Sequence, residues 1–229
     1  MSVKDWINSA PRVETYAPLD GVLPPGGATI GSPRYEEGVD GQCLACGPMA
    51  GATIPTTAEI ARGYPMSLSL WLKFDLGAAT TNVLRWGNSP GCGITLYGAN
   101  SSYPAGTVEG WVRMSNGRSA LAARSGALAA GRWHLVTLVV TQKTLWGGAS
   151  AVLYVNGRQV GAGAYNGGIF DIVNFDRPTS VTVGVGDGAV RVDEIVMQEY
   201  ALSAGQVSAL YSSADDLTAG ASAGWGVVW

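Results

Sequence analysis

Residues 67–75, SLSLWLKFD, alternate cleanly, with Leu68, Leu70, Leu72 and Phe74 on one side and Ser69, Trp71 and Lys73 on the other. A period of two is that of a β-strand with one face in a core. NVLRWG, GITLYG and TVEGWVRM follow, separated by clusters of Gly, Asn, Ser and Pro. The stretch from Ser115 to Gly131 is dominated by small residues. After it come WHLVTLVVT, SAVLYV, RQVGAGA, TSVTVGVG and AVRVDEIVMQEY, each strand-like. In AVLYVNGRQV, Asn156-Gly157 stands between two apolar runs. Both central positions of a type I′ turn need positive φ, which Asn and Gly tolerate best, so a tight hairpin is expected there.

One helix is signalled, in ALSAGQVSALYSS. Ser203 and Gln206 have the spacing of a capping box, and Val207, Leu210 and Tyr211 recur at three and four residues. Many short strands, one late helix and no alternation of strand and helix predict an all-β fold, a two-sheet antiparallel sandwich with one short C-terminal helix. The expected division is an N-terminal arm over 1–14, the sandwich over 15–213 and a small-residue tail over 214–229 that ends in WGVVW.

Composition agrees with a packed domain: 47% of residues are hydrophobic and 14% charged, and the 33 glycines suit many tight turns. Net charge is −3 and no basic run occurs, so a nucleic-acid surface has no electrostatic footprint. The first residues, MSVKDWINSAPRV, lack the apolar stretch of a secretory signal, and no segment reaches the roughly 18–20 apolar residues of a membrane span.

The three cysteines leave alternatives open. Cys43 and Cys46 have a C-x-x-C spacing that suits a redox pair or half a zinc site, while Cys92 stands alone. The run around Cys43 also reads as a strand, where residues three apart face opposite ways, so small buried residues are the leading expectation and an intermolecular disulfide a lesser one. His134 is the single histidine and sits within a strand beside Trp133, which points to a packed residue rather than a catalytic one.

Six segments, in order, resemble the laminin-G-like, or concanavalin A-like, jelly-roll domains over roughly residues 15–212. Tyr16-Ala17-Pro18-Leu19-Asp20-Gly21 looks like their opening strand, and Gly38-Val39-Asp40-Gly41-Gln42-Cys43-Leu44 is similar to their G-x-x-G-x-A-L segment. Ser69 to Lys73 resembles their tryptophan strand. Gly131-Arg132-Trp133-His134-Leu135-Val136 and Leu153-Tyr154-Val155-Asn156-Gly157 match the two most recognisable stretches. Val192-Asp193-Glu194-Ile195, followed by Ala201-Leu202-Ser203 and the helix, is like the closing signature. The resemblance implies two stacked, curved antiparallel sheets. Function stays open, because this fold hosts lectins, glycoside hydrolases, adhesion modules and virus structural proteins.

The family's glucanases use a Glu-x-Asp-x-x-Glu arrangement that is absent here. Asp193 and Glu194 are adjacent and expected on opposite faces, with Asp193 bound to backbone near a strand end, so no enzyme is expected. Some relatives bind calcium through loop oxygens; Asp171, Asp176 and Asp187 are the donors that could do so here, but they share no recognisable spacing, and no cofactor is the main expectation. Alternation also places Trp71, Lys73, Arg85, Tyr97, Glu109, Trp111 and Arg113 opposite the aliphatic core. If their strands are neighbours, Trp71, Arg85, Tyr97, Trp111 and Arg113 form an aromatic and charged binding face. Trp6, Trp225 and Trp229 at the two ends are candidates for assembly contacts. The leading functional expectation is a non-enzymatic structural module of a virion, such as a phage capsid decoration or tail protein, that assembles with itself or other virion proteins; cytoplasmic residence is the alternative. A carbohydrate-binding, lectin-like module is the other reading.

Overall fold

The structure, a computed structural model, describes residues 13–56, 65–77, 79–87, 91–113, 119–142, 149–165 and 180–222. Their elements are β1 (Val13–Ala17), β2 (Ala28–Ile30), β3 (Arg34–Glu37), β4 (Gln42–Cys46), β5 (Gly51–Pro55), β6 (Met66–Phe74), β7 (Thr81–Gly87) and β8 (Gly91–Leu96). There follow β9 (Thr107–Arg113), β10 (Ser119–Ala127), β11 (His134–Gln142), β12 (Ala149–Val155), β13 (Arg158–Tyr165), β14 (Ser180–Gly186), β15 (Val190–Gln198) and the helix α1 (Ala204–Ser222).

Two antiparallel sheets stack into the expected sandwich. One has eight strands in the order β13-β12-β11-β6-β15-β4-β3, with β1 added along β15; the other has seven, β10-β9-β8-β7-β14-β5-β2. The alternation in β6 is realised: Leu68, Leu70, Leu72 and Phe74 are buried in one cluster with Leu84, Trp86, Ile94, Val108 and Val112 of the facing sheet. A lone sheet would leave that row of side chains in water; the second sheet removes it.

The outer face of β6 is covered as well. Trp71 packs with Val39, Leu135, Val139, Tyr154, Leu202, Val207 and Leu210 beneath α1, and Ser67 and Ser69 are buried beside it. The two serines are satisfied within the protein: Ser67 Oγ donates to the Tyr200 carbonyl at 2.7 Å and accepts from Leu202 N–H at 2.9 Å, while Ser69 Oγ lies 3.0 Å from Thr137 Oγ1. Buried hydroxyls with partners are tolerated where bare ones are not.

The capping box forms as expected, with Gln206 N–H donating to Ser203 Oγ at 3.3 Å and Ser203 N–H donating to Gln206 Oε1 at 2.9 Å. The helix then runs on to Ser222, through much of the stretch expected to be a linker. The small residues there include several alanines, and Ala has the highest helix propensity of all. Strand β1 likewise begins at Val13, inside the expected arm. In the 156–157 hairpin φ is +51° at Asn156 and +75° at Gly157, as the turn requires. Asn156 Oδ1 also accepts from Leu135 N–H at 3.0 Å, tying the turn to β11.

Within the small-residue stretch from Ser115 to Gly131 lies strand β10. β10 and β13 are the edges of different sheets and approach each other closely. A Cβ added at Gly161 would collide with the Arg124 carbonyl oxygen. The approach requires glycine on β13, whereas β10 escapes an alternation reading because SALAARSGA has no regular large apolar positions.

Candidate functional site

The outer face of the seven-stranded sheet carries a compact polar and aromatic cluster. Register aligns Thr182, Arg85, Gly93, Trp111 and Ala122 in one row across β14, β7, β8, β9 and β10. The neighbouring row holds Asn82, Thr95, Glu109 and Arg124. Gly93 makes room for the tryptophan: a Cβ there would stand 2.8 Å from Trp111 Cζ2, so the indole lies over bare backbone. Trp111 Nε1–H donates to Thr95 Oγ1 at 3.0 Å, and Thr95 Oγ1 in turn donates to Asn82 Oδ1 at 3.2 Å. The ring is thus held in place yet stays partly exposed. The Arg113 guanidinium lies 5.3 Å from its centroid, within cation–π range.

One end of the cluster is closed by ionic and aromatic contacts. Arg124 pairs with Glu109 and also lies 4.4 Å over the Tyr103 ring, whose centroid is 4.7 Å from that of Tyr97. Burial, reinforced by the Glu109 carboxylate, pushes the Tyr97 hydroxyl up to about 12, so it is a neutral donor at any physiological pH. Arg85, Tyr97, Trp111 and Arg113 are therefore brought to one sheet, as alternation predicts.

Trp71 and Lys73 are not part of it. They lie on β6 of the other sheet, and Trp71 is core beneath α1 with 1% exposure. The expectation fails because alternation tells which side of a strand a residue takes but not which of two sheets the strand joins. Thr95, Asn82, Gly93, Tyr103 and Arg124 were missed; the Gly-x-Gly of 91–93 beside alternating strands is the signal that could have pointed to a bare lane.

Asp193 and Glu194 do not face opposite ways. The register of β15 shifts between Asp193 and Val196, and Glu194 has φ +50°, so a bulge interrupts the alternation and both Val192 and Ile195 point into the core. Both carboxylates are buried. Asp193 accepts from Val39 N–H at 2.8 Å and Glu194 N–H at 2.9 Å, the backbone role expected of it, and Glu194 accepts from the Tyr16 hydroxyl at 2.7 Å. Burial, with Glu194 adjoining, holds Asp193 up to about 8. His134 is packed: its Nε2 lies 2.9 Å from the Ala129 carbonyl, which can only accept, so Nε2 carries the proton and Nδ1 accepts from Asn156 at 3.3 Å.

Cys43, Cys46 and Cys92 are free and buried, and burial raises all three thiols, Cys43 to about 11 and Cys46 to about 12. Cys46 lies in the inter-sheet core, whereas Cys43 lies 3.5 Å from the Glu37 carbonyl. Among the described residues no group of three or more His, Cys, Asp and Glu side chains is placed to hold a metal ion, and no helix is long and apolar enough to cross a membrane. Asp187 is exposed at the turn after β14; Asp171 and Asp176, like Trp6, Trp225 and Trp229, lie outside the described residues.

The fold is a two-sheet jelly roll with a fixed, partly exposed tryptophan on one sheet. Residues 48–208 match the model of the Concanavalin A-like lectin/glucanases superfamily, and the chain belongs to that family. No curated protein sequence matches it. Among solved structures it is similar to the binding domain of Paraclostridial Mosquitocidal Protein 1 (TM-score 0.69, 13% identity, covering 93% of this chain and 53% of that one). The binding domain of Botulinum Neurotoxin DC in complex with SialylT gives a TM-score of 0.68 at 11% identity, over 93% and 52% of the two chains. Domain 4 of AbnA, a GH43 extracellular arabinanase from Geobacillus stearothermophilus in complex with arabinotriose, gives 0.60 at 19%, over 87% and 98%. The chain spans about half the length of the two toxin binding domains. At these identities the likeness is one of fold.

Proposed function

We propose that this domain is a non-catalytic carbohydrate-binding module whose site is the outer face of the seven-stranded sheet, centred on Trp111. The observation that carries this reading is the placement of the indole over Gly93, fixed by Thr95 and flanked in its row by Arg85 and along its strand by Arg113. A rigid aromatic face offers a surface to sugar C–H groups, and the polar groups around it supply direction to hydroxyls. Similar folds solved with a sialylated ligand and with arabinotriose support the choice of ligand class.

Among the described residues, hydrolysis on this face lacks its acid–base pair. Glu109 is the only carboxylate on the seven strands, and it is engaged by Arg124. A retaining glycosidase needs two carboxyl groups about 5–5.5 Å apart, and an inverting one about 6.5–9.5 Å. No observation on the described residues favours assembly into a virion over this reading.

The test is calorimetric titration with arabinotriose and a panel of sialylated and neutral oligosaccharides. Saturable binding is expected with at least one of them, lost in Trp111→Ala while the thermal unfolding curve stays that of a folded domain. If no oligosaccharide binds, or if Trp111→Ala binds as the parent does, the reading is wrong.

A further inference from the structure

We infer that a second, separate ligand site lies on the opposite face of the sandwich and takes a carboxylate-bearing saccharide, a sugar of the uronic-acid type. A cleft of about 860 Å³ opens there, where β6, β3 and the start of β11 meet α1, and Trp71, Lys73, Arg132, Trp133 and Tyr211 line it. It shares no residue with the Trp111 face and goes beyond the function proposed above.

Two observations select the ligand. Two partly exposed rings line the cleft, Trp133 just before β11 and Tyr211 on α1, the latter 6.1 Å from the buried Trp71. Stacked sugar rings want such walls. The charges are unequally committed. Arg191 is taken by Glu36 at 2.6 Å and Asp75 at 3.0 Å. Lys73 and Arg132, by contrast, pair with no carboxylate among the described residues; the Lys73 ammonium lies 5.8 Å from the Trp133 centroid. Two uncommitted cations beside an aromatic wall suit a ring that stacks through its C–H face and presents a carboxylate at its edge. Glu37 at the rim is the acidic residue without a cation partner among the described residues, and it weakens the field less than two cations build it.

Trigalacturonic acid is the probe, titrated calorimetrically into the full chain and into Trp133→Ala, Lys73→Gln and Trp111→Ala, with arabinotriose as the neutral control. The expected result is saturable binding of the acid that weakens about tenfold or more in both Trp133→Ala and Lys73→Gln, falls with added salt, and is unchanged in Trp111→Ala. Lys73→Gln keeps the stem of the side chain and guards against a folding defect in the tryptophan variant. The inference is overturned if trigalacturonic acid does not bind, if its binding is lost in Trp111→Ala and kept in Trp133→Ala, or if Lys73→Gln binds it as the parent does. Loss of arabinotriose binding in Trp111→Ala alone would sustain the sheet-face reading whatever happens in the cleft, so the two can fail separately.

Discussion

The bulge in β15 makes a sharp prediction about stability. Asp193 is fully buried, and burial, with the Glu194 carboxylate adding to it, raises its pKa from the ordinary 3.8 to about 8 against the pull of the Val39, Glu194 and Asp40 backbone N–H groups. The Asp20 and Asp40 carboxylates near Tyr16 and the raised Cys43 thiol add no positive charge that would reverse the direction. Below about pH 4 both the folded and the unfolded chain hold the proton; between there and about pH 8 the folded chain alone does. The folded state therefore binds more protons in that window, and stability present at its acid end is lost as pH rises through it. At 1.36 kcal/mol per pKa unit the ceiling is on the order of 5 kcal/mol, part of it the repulsion of the adjoining Glu194 carboxylate. Urea unfolding followed by tryptophan fluorescence at about pH 5 and about pH 9 reads the effect directly. The parent is expected to be more stable at the lower pH by a few kcal/mol, and Asp193→Asn to flatten that difference. The asparagine turns an N–H group toward a backbone donor, at a cost of about 1–3 kcal/mol that is the same at every pH, so the slope and not the absolute value is the readout. Equal slopes in parent and variant, or a parent that gains stability as pH rises, would refute the account.

Two further outcomes test the packing. Gly93→Ala places a Cβ against the Leu84 carbonyl oxygen and 2.8 Å from the Trp111 ring, so it should destabilise the domain by about 1–3 kcal/mol and impair the sheet-face site; an unchanged melting temperature with unchanged glycan binding would contradict the geometry. The three thiols, buried and raised, should resist a disulfide reagent in the native chain and react in full once it is unfolded; rapid native labelling at Cys43 or Cys46 would reopen a redox role.

Much was legible along the chain because it depends on residues near one another. Alternation in β6 reports a half-buried strand, Asn156-Gly157 reports a positive-φ turn, and Ser203 with Gln206 reports a helix start; each is a local requirement written in local residues. The side of the strand that carries Trp111 and Arg85 was readable for the same reason. What tertiary structure alone decided was sheet membership, register and coverage. Trp71 and Trp111 occupy outward positions on similar strands, yet one lies under α1 and the other stays partly exposed, because strands distant in sequence sort them into different sheets. Strand β10 was hidden because SALAARSGA shows no alternation of large apolar and polar side chains. The bulge at Asp193 arises where β15 changes neighbours from β4 to β1 along one edge, a pairing between segments far apart in the chain. Period-two patterning describes one strand against an unnamed layer; only the long-range pairing decides which layer that is.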